Sequence, residues 1–188
     1  MSRLLIINGS PRKDGVDAKI GQMIAERMKG YDYDDEAVNI NDLNIRGCQA
    51  CMSCKKTGKC AQNDDMTVLY DKIRGSDMLI LCSPIYFGAE TGQMKTFVDR
   101  MYAMVINKDG QRFVNFGNVK KASILLTCGA PDGYMTYGGI LSRLTNTIKS
   151  MGVNDLSGTI LCGLTPDTAT TSEKVNDYLE SLEFQAEM

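Results

Sequence analysis

Apolar residues in this chain fall into short unbroken runs, separated by stretches where they recur every three or four positions. Leu4–Ile7, Met78–Cys82, Ile124–Cys128 and Thr159–Cys162 are runs of the first kind; they suit strands buried on both faces. Ala37–Ile40 makes a short second strand. Between these runs, Ile20, Met23, Ile24 and Met28 mark one face of a helix over Asp17–Lys29, which Gly30 stops. Asp65 is placed to cap a helix carrying Met66, Leu69, Tyr70 and Ile73. Thr91 can cap another, with Met94, Phe97, Val98 and Met101 inward and Lys95 and Asp99 as a solvated i,i+4 pair. Residues 105–120 read as a loop or small hairpin. Ile140–Met151 is a further helix, and Ser172–Phe184 the last, with Val175, Tyr178, Leu179 and Leu182 apolar.

Apolar strands alternating with amphipathic helices make an α/β protein with a parallel sheet covered on both faces. Five such units in this length fit a flavodoxin-like doubly wound sheet of order 2-1-3-4-5. Ligands of that architecture bind beyond the carboxyl ends of the strands, where the strand order reverses. That directs attention to the loops 9–17, 83–90 and 128–138.

Composition narrows the chemistry. With 188 residues, 43% of them hydrophobic, the chain is expected to form a single domain over 1–188 with a Cys-rich loop at about 47–64. No stretch is apolar enough to span a membrane. The run Leu4–Ile7 is too short for a signal peptide and leads into a Gly-rich turn, so the protein is expected to be cytoplasmic. A net charge of −2 without basic blocks leaves no footprint for nucleic acid. There is no histidine, which excludes imidazole acid–base chemistry, Ser-His-Asp triads and histidine metal sites. Seven cysteines without a secretion signal argue for reduced or ligating thiols rather than a disulfide framework.

The first loop, "NGSPRKDGVD", joins a strand to a helix. Helix-start N–H groups, the Ser10 hydroxyl and the cations Arg12 and Lys13 compose an anion site there. The pattern is neither a P-loop nor a Rossmann fingerprint, and Gly, Ser, Pro and Asp would equally make a plain turn. Its place after the first strand favours phosphate. Asp17 opposes it: two like charges about 4 Å apart repel by ~4 kcal/mol at an effective dielectric near 20, unless Arg12 and Lys13 offset the charge or Asp17 turns away. The second loop, "CSPIYFGAETGQMKTFVDRM", offers Tyr86 and Phe87 as flat apolar surface and Gly88 for close backbone approach. Two core aromatics in a strand-to-helix turn would look the same.

Three blocks, "GSPRKDG", "DDM" and "SPIYFGAETGQMKTFVDR", resemble the NADPH-dependent FMN reductase family over about residues 3–163. Within it, the run "GCQACMSCKKTGKC" is similar to the iron–sulfur flavoproteins. The resemblance implies FMN phosphate at Ser10, Arg12, Lys13 and the helix start with Asp17 and Ala18. It implies Pro84, Ile85, Tyr86, Phe87 and Gly88 along the ribityl chain and ring, and Cys128 and Gly129 at the other ring edge. "GVDA" at 15–18 departs from the family, which usually shows Asn and Thr or Ser there.

Cys48, Cys51, Cys54 and Cys60 have the spacing C-x2-C-x2-C followed by a fourth cysteine, which wraps one face of a [4Fe–4S] cubane. Lys55, Lys56 and Lys59 would balance its negative charge. Reduced thiols packed in the loop remain an alternative. Zinc fits less well, since it commonly takes two cysteine knuckles with a longer spacer. Cys82, Cys128 and Cys162 each end a predicted strand and read as buried small hydrophobes, with Cys128 near the flavin.

The expected function is a cytoplasmic oxidoreductase that passes electrons from NAD(P)H through FMN, with or without a [4Fe–4S] relay, to a small-molecule or redox-protein acceptor. The flavin carries the chemistry, so no catalytic side chain is assigned. The resemblance implies a homodimer or homotetramer. A flavodoxin-type electron carrier is the alternative, disfavoured by a charge near zero; a non-catalytic redox or metal sensor is the third.

Overall fold

The computed structural model describes residues 1–187. Along the chain run β1 (Ser2–Asn8), α1 (Val16–Met28), β2 (Tyr33–Asn39), α2 (Ser53–Thr57), α3 (Met66–Gly75) and β3 (Met78–Tyr86). Then come β4 (Ala89–Glu90), α4 (Gly92–Arg100), β5 (Val105–Lys108), β6 (Gln111–Val114), β7 (Lys121–Cys128), α5 (Tyr134–Ser150), β8 (Asp155–Cys162) and α6 (Glu173–Glu187). Five strands lie in the order β2-β1-β3-β7-β8, all parallel. This is the expected 2-1-3-4-5 topology. β4 folds back on the end of β3, and β5 with β6 forms the surface hairpin. Among the described residues no helix is long and apolar enough to cross a membrane.

Side chains alternate across each strand, so one sheet feeds two cores. Leu4 and Ile6 of β1 pack on one face with Ile20 and Ile24 of α1 and Val175 and Leu179 of α6. Leu5 and Ile7 turn to the other face, where Ile73 of α3, Phe97 of α4 and Leu144 and Ile148 of α5 cover them.

Several bounds differ from those the sequence predicts. β2 begins at Tyr33 rather than Ala37, because pairing of Ser2–Asn8 with Tyr33–Asn39 carries the backbone whatever the side chains. Asp34, Asp35 and Glu36 lie on this outermost strand, where none of them is buried and no apolar run is required. Ile40, assigned to that strand, opens a 3-10 turn instead. β3 runs through Ser83 and Pro84 to Tyr86. Its pairing with β1 stops at Cys82, so Pro84 meets no ladder on that side. α5 starts six residues before Ile140, across a Gly138–Gly139 pair that hides its helical character. Asp65 does precede α3, yet its carboxylate accepts from the Asn44 N–H (2.7 Å) instead of capping, and Asp64 accepts from Met66 N–H (3.2 Å).

Two devices set the sheet's mouth. The Thr91 hydroxyl accepts from Met94 N–H (3.1 Å), as expected for a cap, and also donates to the Gly9 carbonyl (2.7 Å). The Ser83 hydroxyl accepts from Thr91 N–H (3.1 Å), so α4 is stapled to the ends of β1 and β3. At Gly9 itself a Cβ would lie 2.9 Å from the Met94 Cβ, which requires glycine at this crossing.

Candidate functional site

β1 ends in a run of local bonds that shape the first loop. Asn8 Oδ1 accepts from Ser10 N–H (2.8 Å), Ser10 Oγ accepts from Arg12 N–H (3.3 Å), and Gly15 N–H donates to the Arg12 carbonyl (3.3 Å). Gly15 then opens α1 with no side chain capping it. The helix N–H groups thus retain their capacity for an external anion.

This loop is one wall of a cavity of about 260 Å³ at the carboxyl ends of the strands. Ser10, Arg12 and Asp17 line it from β1 and α1, Pro84, Ile85 and Tyr86 from β3, and Cys128 and Gly129 from β7. These eight expected residues come together. Four others do not reach the lining. Lys13 is exposed and pairs with Asp42 at 3.1 Å, and Ala18 is half-buried on α1. Phe87 and Gly88 form the turn between β3 and β4, both with positive φ (49° and 83°), and Phe87 is fully exposed. Gly15, Val16, Thr127 and the segment Leu164, Thr165 and Pro166 complete the lining. That last wall was outside the loops singled out, because it follows the edge strand rather than the reversal of strand order.

Asp17 sits in this lining with 2% of its surface exposed. Its Oδ2 accepts from the Thr127 hydroxyl at 3.0 Å, while Oδ1 is buried with no partner. Burial pushes its carboxyl up from 3.8 to about 6, against the lowering influence of the Thr127 bond and its own backbone N–H. The group that opposes a phosphate is therefore neutralised only below about pH 6.

A second constellation lies at the far end of α4. Cys48, Cys51, Cys54 and Cys60 line a single apolar pocket with Arg100 and Tyr102. Ala50 and Met52, placed between these cysteines, hold left-handed backbones (φ 51° and 60°). Such residues cost about 1–3 kcal/mol each and persist only where surrounding structure dictates them. Burial pushes the Cys54 thiol up, Lys55 opposes this, and Cys60, Cys48 and Cys51 add to the rise. Among the described residues, no three His, Cys, Asp or Glu side chains converge closely enough to hold a single metal ion.

The cation at this pocket is not the one expected. Lys55 is buried, donates to the Tyr102 (2.6 Å) and Val105 carbonyls and stacks 3.3 Å over the Tyr102 ring. It ties the loop to the β5 hairpin, leaving Lys56 and Lys59 exposed. Arg100 instead reaches the thiols: its Nη2 lies 3.4 Å from Cys60 Sγ and 3.0 Å from Asp64 Oδ1, and Nη1 bonds Asp64 Oδ2 (2.6 Å) and the Arg46 carbonyl (2.7 Å). Both side chains of this pair are 1% exposed. Burial raises the Asp64 carboxyl, but the Arg100 bond, the N–H groups of Arg46 and Met66 and the Arg100 charge together hold it below its usual value.

The sequence profile of NADPH-dependent FMN reductases matches residues 2–135. An iron–sulfur flavoprotein of Archaeoglobus fulgidus is 40% identical over 95 residues, 50% of this chain and 43% of that protein. Here the match spans less than half of the relative. Another from the same organism is 36% identical over 150 residues, 80% of this chain and 69% of that protein. The fold is similar to that of the NAD(P)H:quinone oxidoreductase from Methanothermobacter marburgensis, with TM-score 0.74, 14% identity and coverage of 98% and 97% of the two chains. With a cavity where this architecture binds its ligands and a profile match that takes in three of its four walls, the chain belongs to the NADPH-dependent FMN reductase family.

Proposed function

We propose that the mouth of the sheet holds FMN, and that the protein passes electrons from NAD(P)H to a second acceptor, a quinone-like small molecule or a redox protein. The observation that carries this reading is one cavity gathering a cation, an uncapped helix N-terminus and an aromatic wall from separate strand ends. Arg12 and the first N–H groups of α1 would hold the phosphate. Ser10 fixes the loop, whereas Lys13, paired with Asp42, contributes no direct contact. Pro84, Ile85 and Tyr86 on one side and Thr127, Cys128 and Gly129 on the other would line the ring and exclude water. When bound, FMN supplies two-electron acceptance from a nicotinamide and release in single-electron steps.

The four cysteines at the other end of α4 fit a [4Fe–4S] cluster better than a single ion. A cubane keeps its thiolates further apart than the ~3.8 Å that tetrahedral zinc with 2.3 Å bonds requires. Arg100 would donate to the Cys60 sulfur and offset the negative charge of the group. α4 spans about 14 Å along its axis, from Thr91 bonded to the Gly9 carbonyl to Arg100 beside Cys60.

Anaerobic purification with a visible spectrum, iron and sulfide analysis and stopped-flow mixing with NADPH tests both parts. Flavin bands that bleach on mixing are expected, over the broad absorbance of a cluster with four irons per chain. A colourless protein that takes up no FMN on titration would overturn the flavin reading. Flavin without iron or sulfide would overturn the cluster alone.

A further inference from the structure

Cys128 and Cys162 occupy the same register on adjacent parallel strands, at the last residues of β7 and β8. Neighbouring strands lie about 4.8 Å apart, which is within the roughly 4.4–6.8 Å between Cα atoms that a disulfide spans. Gly129 and Gly163 follow at once, and the Gly163 N–H donates to the Cys128 carbonyl at 2.9 Å, which holds the two strand ends together. Both sulfurs face Gly133 at the start of α5, where a Cβ would lie 2.8 Å from Cys128 Sγ and 2.9 Å from Cys162 Sγ. Glycine at 133 is what leaves room for two sulfurs side by side.

The two thiols are not equivalent. Cys162 Sγ accepts the Gly133 N–H at 3.0 Å, at the N-terminus of the 17-residue α5. Cys162 is 8% exposed and also borders an open groove of about 580 Å³ beside α6, where its carbonyl accepts from Lys174 at 3.3 Å. Cys128, beside it, borders the mouth, and its Sγ lies 3.7 Å from the Ala130 carbonyl. Burial, then the adjoining Cys162 thiol, push Cys128 up to about 11 and keep it protonated.

We propose that Cys128 and Cys162 form a redox-active dithiol that reduces low-molecular-weight disulfides. The Cys162 thiolate attacks one sulfur of the incoming disulfide, forming a mixed disulfide and releasing one thiolate, which takes up the proton lost by Cys162. Cys128 then attacks Cys162 Sγ, its proton leaving with the second thiol. The protein loses two electrons and two protons in closing the Cys128–Cys162 bond; the small disulfide becomes two thiols. This assignment needs no cofactor and stands apart from the flavin reading.

The test uses the purified full-length protein, first reduced and then exposed to excess oxidised glutathione, quenched with N-ethylmaleimide and digested with trypsin. The tryptic peptides 122–143 and 150–174 carry the two cysteines separately, away from Cys48–Cys60. The expected result is a cross-link between them that dithiothreitol reverses, with at least tenfold loss of alkylation at both. Cys128→Ser should stop at a glutathione adduct on Cys162, and Cys162→Ser should leave Cys128 unmodified. Full alkylation of both wild-type cysteines after oxidation would overturn the proposal, as would glutathione on Cys162 with no cross-link.

Discussion

Replacing Asp17 by asparagine isolates the energetics of the cavity's one buried acid. In the folded chain its carboxyl lies at about 6 against 3.8 for the ordinary group, with burial as the leading cause. Between those values the folded state holds a proton that the unfolded state has lost. Stability therefore falls as pH rises from about 4 to about 6, then levels off. A shift of roughly two units corresponds to ~3 kcal/mol, present in full only at low pH and lost by pH 7. Asparagine keeps an acceptor for the Thr127 hydroxyl but places amide hydrogens where Oδ1 already lacks a partner. That cost, about 1–3 kcal/mol, does not vary with pH. The informative quantity is thus the slope, not the offset. Urea unfolding of the flavin-free protein from pH 4 to 8 should show the variant gaining on wild type by ~2.5 kcal/mol across the interval. A difference that stays flat would refute the assignment of a raised Asp17 carboxyl. The same logic applies to ligand: FMN affinity, read by quenching of flavin fluorescence, should fall with rising pH more steeply in wild type than in Asp17→Asn.

Other perturbations address the scaffold. Arg100→Met leaves Asp64 buried without its cation and should cost about 3–5 kcal/mol in denaturant unfolding; adding Asp64→Leu should recover much of it, and no recovery would argue against an isolated pair. Thr91→Ala removes both the cap of α4 and the bond to Gly9, with an expected loss of about 2 kcal/mol that Thr91→Ser largely restores. Gly117→Ala puts a Cβ 2.3 Å from the Arg74 carbonyl oxygen at φ +72°, so a drop of about 2–3 kcal/mol in the same assay is expected.

The buried strands were legible because a parallel sheet covered on both faces demands apolar side chains in succession, as in Met78–Cys82. β2 was legible only at its end, since pairing with β1 supplies the energy that its side chains do not. In the mouth, the walls at Ser10, Pro84 and Cys128 followed from where the strand order reverses. The wall at Leu164–Pro166 did not, because nothing local distinguishes "GLTP" from an ordinary turn. The lysines of the cysteine run show the limit of reading charge by proximity in sequence. Lys55 is drawn under the Tyr102 ring, and the cation beside Cys60 comes from forty residues away. An arginine in the last turn of a helix ordinarily reads as a solvated partner of the helix dipole, and only tertiary packing reveals that Arg100 is buried.

The outermost strand has a consequence beyond this molecule's own interior. Any parallel sheet ends in a row of backbone groups able to recruit an identical neighbour into a growing ribbon. Here that row carries Asp34 and Asp35 beside Glu36, which pairs with Lys72, so two copies meeting rim to rim would set Asp34 and Asp35 against their counterparts. The rim thus keeps identical chains from stacking edge on edge along β2.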